Sequence, residues 1–415
     1  MMFEKLIAIG LAPNQDKDDL IQTLKIILKP WFWIKGDSVK KIEDWFKRYF
    51  KVNTAISFNS GRSALYAILK SLSIGKGDEV IVQAFSCVAV ANCVIWTGAK
   101  PIYVDIDQNL NISIESLERN ITPYTKAIIV QHTFGVPADI ISIKKIAQKH
   151  NLIVIEDCAH SLGATYQGKK IGNYGDFSIF SFGRDKVISS VFGGLAIVNN
   201  NNKSFGQKLE EFSQGLSFPS HSFVLQQLMH PLAFSIILPL YNLGIGKLIL
   251  IILQKIHLLS FPVLNIEKKA LRPKFIPQKY PNALAGILLG QLNKLEKYNE
   301  HRKEIANYYR TNLFSMKNIN LPYDVKGAIY LRYNILTPKA NKILSAAKKQ
   351  RIILGNWYRN IIDPAGVDFP SIHFQPKLYP VAQKFAQQSL NLPTYPRITY
   401  QDADKIINLI NKYAS

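Results

Sequence analysis

The chain runs to 415 residues, with 47% hydrophobic and 19% charged residues. That balance excludes a disordered or fibrous polymer, and the length is enough for two domains. Its 51 Lys and Arg against 29 Asp and Glu give a net charge of +22, which favours acidic partners such as phosphorylated small molecules or anionic lipid. No zinc-finger spacing or RNA-binding aromatic motif accompanies the charge, so no nucleic acid is expected as a partner. Cys87, Cys93 and Cys158 are too few and too odd in number for a disulfide framework, and fit a reducing cytoplasm.

Residues 1–16 hold a short apolar patch beside Glu4 and Lys5 but no convincing cleavage site, and do not read as a signal peptide. Residues 17–50 are predicted to be helices with an apolar face, with a loop at Lys35-Gly36. Beyond them, strands are predicted at 54–57, 78–83, 101–104, 127–131, 152–155, 177–182 and 194–198. Helices are predicted between them, at 63–72, 88–96, 113–119 and 140–150. This alternation points to βαβ units and a mostly parallel sheet. Ligands in such sheets sit beyond the carboxyl ends of the strands, which places Asp105, His132, Asp157 and Ser181 on one rim.

From Phe212 to Gly246 there is no Asp, Glu, Lys or Arg, and 248–254 continues apolar after Lys247. Pro231, Pro239, Gly244 and Gly246 interrupt the run, which argues against a clean membrane span. A pair of buried or dimer-interface helices is one reading, and a peripheral membrane contact the other. After it come one long predicted helix (284–309), a strand (328–336), a helix (339–350) and a closing helix (402–413). The expected division is a large domain, 1–264, carrying the apolar insertion near 212–262, and a smaller C-terminal α+β domain, 265–415.

Three segments can carry chemistry. Ser60-Gly61-Arg62-Ser63 lies between a strand and a helix, where free amides, an approachable glycine and an arginine suit a phosphate; an ordinary Ser cap is the plainer reading. Asp157 ends a strand, where a carboxylate can pair with a protonated pyridine nitrogen; no compact set of His and Cys surrounds it in sequence, so no metal is expected. Lys186 follows the next strand, after Ser181 and before Gly193-Gly194. Taken out of water there, its amine can attack an aldehyde.

In the same order the chain shows Asn59-Ser60-Gly61, Gly77-Asp78-Glu79-Val80-Ile81, Gly98 to Pro101 with Val104 to Asp107, and Ile121-Thr122-Pro123. There follow His132 to Gly135 with Pro137-Ala138-Asp139, Val154 to His160, Gly163 to Tyr166, and Ser181-Phe182 with Lys186. Gln291-Leu292, Arg302 and Asn391-Leu392-Pro393-Thr394 complete the series. Through these motifs the chain resembles the DegT/DnrJ/EryC1/StrS family of sugar aminotransferases. The resemblance implies a type I pyridoxal-phosphate-dependent transferase (aspartate aminotransferase) fold, α/β with a mostly parallel sheet, and a likeness that fades between about 203 and 283.

The same resemblance implies that Lys186 carries pyridoxal 5'-phosphate and shuttles the proton. Asp157 holds the pyridine nitrogen, His160 lies near the ring oxygen, and Ser60, Gly61, Arg62 and Ser181 hold the phosphate. Two departures stand out. Cys87 occupies the place of a ring-stacking aromatic, with Phe85 two residues away. Pro277-Gln278-Lys279-Tyr280 replaces an Asn-Tyr-Arg run that reaches the partner subunit in the family, leaving Lys279 as a substitute charge. The implied activity is amino transfer, with L-glutamate as donor, to a nucleotide-linked or lipid-linked keto-sugar of cell-surface polysaccharide, by a cytoplasmic homodimer with a possible membrane contact. The rivals are a regulatory or nucleic-acid-binding protein on the same fold and a sugar dehydratase.

Overall fold

In the computed structural model, which describes residues 6–12, 14–199 and 203–414, the alternating pattern folds into a seven-stranded sheet. Its strands are β1 (Thr54–Phe58), β2 (Glu79–Gln83), β3 (Lys100–Val104), β4 (Thr125–Gln131), β5 (Ile153–Asp157), β6 (Phe177–Ser181) and β7 (Gly194–Val198). They lie in the order β1-β7-β6-β5-β4-β2-β3, and only β7 runs antiparallel to its neighbours. Strand interiors such as Val80-Ile81-Val82 and Ala127 to Val130 are buried on both faces, as a parallel sheet covered by helices requires.

Two apolar cores flank this sheet. One holds Phe46, Phe50, Ile128, Val154, Phe180 and Phe182, the other Val82, Ala91, Ile129, Ile155 and Phe177. A third cluster forms from Ile305, Tyr309, Tyr333, Ile343, Leu390, Leu392 and Ile406. It surrounds a separate antiparallel pair, β8 (Arg332–Leu336) and β9 (Ser389–Pro393).

Helices that bear on the site are α1 (Lys17–Ile27), α2 (Gly61–Ser71), α3 (His221–Leu240), α4 (Ile245–Lys255), α5 (Asn282–Leu292) and α6 (Leu295–Leu313). The single helix expected at 284–309 is thus two. The break at Asn293-Lys294 turns the Lys294 ammonium onto Asp16 (2.7 Å) and Asp19 (3.3 Å). That gain, with Tyr298 donating to Asp16 (2.8 Å), outweighs the backbone continuity lost.

The apolar stretch becomes a helical hairpin, α3 and α4, turning at Gly244 in a left-handed conformation (φ +81°). By length and composition 221–243 is long and apolar enough to cross a membrane, but 44% of its most apolar window is buried inside the molecule. Pro231 and Pro239 lie inside α3.

Candidate active site

The sheet delivers its site residues as the strand ends dictate. Asp157 closes β5, Ser181 closes β6, and Ser60 follows β1 as the N-cap of α2, its Oγ accepting the Ser63 N–H (3.1 Å). All three line one cleft of about 860 Å³, with Gly61, Arg62, Cys87, His160 and Lys186.

Gly61 sits where no other residue fits well: a Cβ there would lie 2.9 Å from Cβ of Ser181. On its other side, a Cβ at Gly194 would lie 2.3 Å from the Gly61 nitrogen. The start of α2 beside the Ser181 hydroxyl therefore presents a cradle of helix-terminal amides of the kind that suits a phosphate. Arg62 points its guanidinium at the buried Glu267 carboxylate, forming an ion pair with it. Its charge is matched by that carboxylate.

Lys186 reaches across the cleft to His160, with Nζ 3.0 Å from Nε2. Phe134 donates its N–H to the other ring nitrogen, Nδ1 (3.4 Å). Burial, with the Lys186 and Arg332 charges, holds the imidazole well below its ordinary range, which keeps that ring neutral. Asp157 accepts the Ala159 N–H at Oδ1 (3.0 Å). Burial raises its carboxyl above the ordinary range, the Ala159 bond and Lys186 offsetting only part of this. A buried carboxylate so placed favours a cationic partner such as a pyridinium N–H.

A network behind the cleft fixes the lysine. Asn14 donates to the carbonyl oxygens of Lys186 (2.5 Å) and Val187 (3.3 Å). Arg302, fully buried in α6, donates to Val187 O (2.6 Å), Asn14 Oδ1 (3.0 Å) and Asn299 Oδ1 (2.8 Å). Three bonds on a buried guanidinium hold this turn more firmly than its own backbone would.

Of the four rim residues, two serve the fold. Asp105 accepts the N–H groups of Val381 (3.0 Å) and Ala382 (2.8 Å), capping the helix Pro380–Gln388. His132 lies 3.2 Å from Glu156 and accepts the Ala138 N–H at Nδ1 (3.1 Å). Contrary to the sequence reading, a compact His, Cys and carboxylate group does form beside Asp157: ligand atoms of His132, Glu156 and Cys158 lie within 4.8 Å of one another. Its members are consumed internally. Glu156 accepts the N–H groups of Gly172 (2.9 Å), Tyr174 (2.7 Å) and Gly175 (2.6 Å). Burial holds the Cys158 thiol protonated, well above its ordinary range.

The second chain half adds residues that local pattern gave no means to find. Arg332 from β8 pairs with Asp185 and lies 3.5 Å from the centre of the Trp357 ring. Tyr358 stacks on Phe134 (5.5 Å, 19°), which stacks in turn on His160 (5.8 Å, 17°). Trp357, Tyr358 and Arg332 all line the cleft. Phe85 is buried edge-on against Phe134 and Tyr358, while Cys87 lines the cleft wall. Aromatic surface thus comes from the 357–358 segment. Lys279 lies with Nζ 5.3 Å from the Phe218 ring centre, and its backbone pairs with Phe58 at the sheet edge.

Fold and rim together place Lys186, Asp157 and the start of α2 in one cleft at the strand ends of an α/β sheet. The model of the DegT/DnrJ/EryC1/StrS aminotransferase family matches residues 14–217 and 278–411. A GDP-perosamine synthase from Escherichia coli O157:H7 is 28% identical over 392 residues, covering 93% of this chain and 92% of the relative. A UDP-N-acetyl-3-dehydro-alpha-D-glucosamine 3-aminotransferase from Acidithiobacillus ferrooxidans is 38% identical over 183 residues, 44% of this chain and 50% of the relative. Among solved structures, the PLP form of the putative sugar aminotransferase Spr1654 from Streptococcus pneumoniae superposes with a TM-score of 0.76 at 21% identity, over 97% of both chains. Helicobacter pylori PseC, an aminotransferase of pseudoaminic acid biosynthesis, gives 0.76 at 20% identity over 99% of both. The chain belongs to the DegT/DnrJ/EryC1/StrS aminotransferase family. It is a pyridoxal-phosphate-dependent sugar aminotransferase.

Proposed function

We propose that this protein transfers the amino group of L-glutamate to a nucleotide-linked keto-sugar destined for cell-surface polysaccharide, with Lys186 as the residue that handles the proton. The observation that carries this reading is the Lys186–His160 contact at 3.0 Å within a cleft that also holds Asp157 and the Gly61 cradle. Pyridoxal phosphate, when bound, supplies a ring that takes up the electron pair released when a C–H bond beside nitrogen breaks.

The chain's own residues do the rest. Ser60, Gly61 and Ser181 hold the phosphate at the start of α2, where amides and helix dipole favour an anion. Asp157 holds a positive charge on the ring nitrogen. His160 keeps Nζ of Lys186 aimed into the cleft, and Asn14 and Arg302 fix the backbone from behind. Nζ then moves a proton between the two carbon atoms that exchange it, and a fixed geometry makes that transfer effectively unimolecular.

The assembly we propose is a cytoplasmic homodimer in peripheral contact with a membrane. Charge and shape support that contact. No Asp or Glu occurs from Phe212 to Ile266, and α4 exposes Ile245, Leu248, Ile251 and Ile252 beside Lys247 and Lys255. An apolar face with cationic flanks suits an anionic lipid surface.

The test is the visible absorption spectrum of purified protein with pyridoxal phosphate, before and after L-glutamate, beside Lys186→Ala. A lysine-dependent band that glutamate removes is the expected result. Absence of any lysine-dependent band in the wild type sinks the assignment of Lys186.

A further inference from the structure

The hairpin of α3 and α4 lies in the stretch that the family model leaves unmatched, yet its inner face forms part of the active-site cleft. His230, Phe234, Leu250 and Gln254 line the same cavity as Lys186. Where hairpin meets rim stands Arg184, two residues before the lysine. One of its terminal nitrogens donates to Oγ of Ser260, and that hydroxyl donates to Gln227 Oε1 (2.7 Å). Ser260 also donates its backbone N–H to Nε2 of His230 (3.0 Å).

Two donors in this cluster go unanswered. Among the described residues, Nε of Arg184 and Nδ1 of His230 are buried with no hydrogen-bond partner. Because Nε2 of His230 accepts a hydrogen bond, its neutral ring carries the proton on Nδ1, so both unmatched atoms are N–H donors. The other cleft arginines are neutralised, Arg62 by Glu267 and Arg332 by Asp185. Among the described residues Arg184 has no carboxylate within ion-pair distance; the neighbouring Asp185 is held by Arg332. Burial pushes the guanidinium down to about 9, the Asp185 charge offsetting part of this and Arg62 adding to it; burial, with the Arg184 charge, pushes the His230 imidazole well below its ordinary range.

Unmatched donors and an unmatched positive charge in a cavity wall ask for a ligand that is both anionic and rich in acceptor oxygens. A sugar hydroxyl supplies neither the charge nor enough acceptors. The cofactor phosphate has its own cradle at Gly61. The amino donor is small for a cleft of about 860 Å³, a volume that suits a ligand of sugar-nucleotide size. We infer that Arg184 and His230, held by Ser260 of the hairpin, form the binding subsite for the diphosphate of the sugar acceptor. This rests on the aminotransferase reading of Lys186 and adds to it the place where the acceptor's charge is recognised. Arg184 is thus a specificity-determining residue, and the hairpin is the element that completes its subsite.

The experiment uses the cofactor-loaded protein, so that the Gly61 cradle is filled. Uridine diphosphate and geranyl diphosphate are titrated separately by calorimetry into wild type, Arg184→Gln and His230→Ala, with the cofactor band recorded for each. The expected result is diphosphate binding that weakens by at least about tenfold in Arg184→Gln, and less in His230→Ala, with the band retained. Preference for the nucleotide or for the prenyl compound in the wild type tells whether the acceptor's diphosphate is carried on a nucleoside or a lipid. Equal affinity in wild type and both variants overturns the subsite. So does loss of the cofactor band in Arg184→Gln, which assigns Arg184 to the cofactor phosphate. So does weakened removal of the band by L-glutamate with unchanged diphosphate binding, which assigns it to the donor carboxylate. A wild type with no glutamate-sensitive band but intact, Arg184-dependent diphosphate binding defeats the aminotransferase reading alone.

Discussion

The sheet rim and the α3–α4 hairpin line the same cleft, but they are built on different terms. Rim residues are held by short backbone geometry: strand ends, a helix cap, a glycine pressed between Ser181 and β7. Each position tolerates little, and the rim lies within the stretch that the family model matches. Hairpin residues are held by apolar packing of Ala233, Phe234, Ile237 and Leu259 and by a few side-chain bonds. That kind of surface can change while the chemistry stays. Under the proposed function, the contrast assigns cofactor handling to the sheet and acceptor handling to the hairpin.

That division can be broken most forcefully at the rim. Asp157→Asn removes the charge that steadies a cationic ring nitrogen, and is expected to lower the glutamate half-reaction on the order of a thousandfold. Stopped-flow absorbance with glutamate checks it, and a loss below about tenfold would place the charge elsewhere. Behind the rim, Arg302→Leu leaves Val187 O, Asn14 and Asn299 without their donor. A stability loss of about 3 kcal/mol in urea unfolding is expected. Substitutions at the hairpin should spare both quantities. Leu248→Glu with Ile252→Glu places charge on the exposed face of α4, at residues 57% and 46% exposed. Flotation with anionic phospholipid vesicles should fall at least about tenfold while the cofactor band and unfolding midpoint hold. Unchanged flotation would return that face to a subunit interface.

The smallest effect is a pH dependence of stability. His160, facing Lys186, Arg332 and Phe134, and His230, facing Arg184 and Ser260, are both depressed well below 6.5 by burial first and neighbouring cations second. A depressed folded-state value means the unfolded chain binds protons first as pH falls. Stability from these groups is therefore present above about 6.5 and lost below it, on the order of 1 kcal/mol per histidine by pH 5.5. Asp107 and Asp363, raised to about 6 mainly by burial, act in the opposite sense. The informative quantity is thus the difference between wild type and His160→Gln, whose loss between pH 7 and pH 5.5 should be shallower. Parallel slopes would refute the buried neutral ring.

Much of this was legible in the chain. Apolar runs of five to seven residues ending in Asp157, Gln131 or Ser181 give strands with polar ends, and β7 stands where it was expected, at 194–198. Less legible was whether a polar rim residue is used or consumed. Asp105 reads like Asp157 in sequence, yet a helix 275 or so residues away takes both its oxygens. Arg62 reads as a free cation beside the cradle until Glu267, from beyond the hairpin, neutralises it.

The sequence by itself made the alternating strands and helices of the parallel sheet legible, because apolar periodicity and polar strand ends are local features of the chain. Tertiary structure alone decided the break before α6, the aromatic wall at Trp357 and Tyr358, the ion pairs of Arg62 with Glu267 and Arg332 with Asp185, and the burial of Arg184 beside Ser260 with no carboxylate at ion-pair distance among the described residues. Those depend on charge and burial contributed by distant segments. The free energy of a buried cation is fixed by what surrounds it, and linear order carries no record of that.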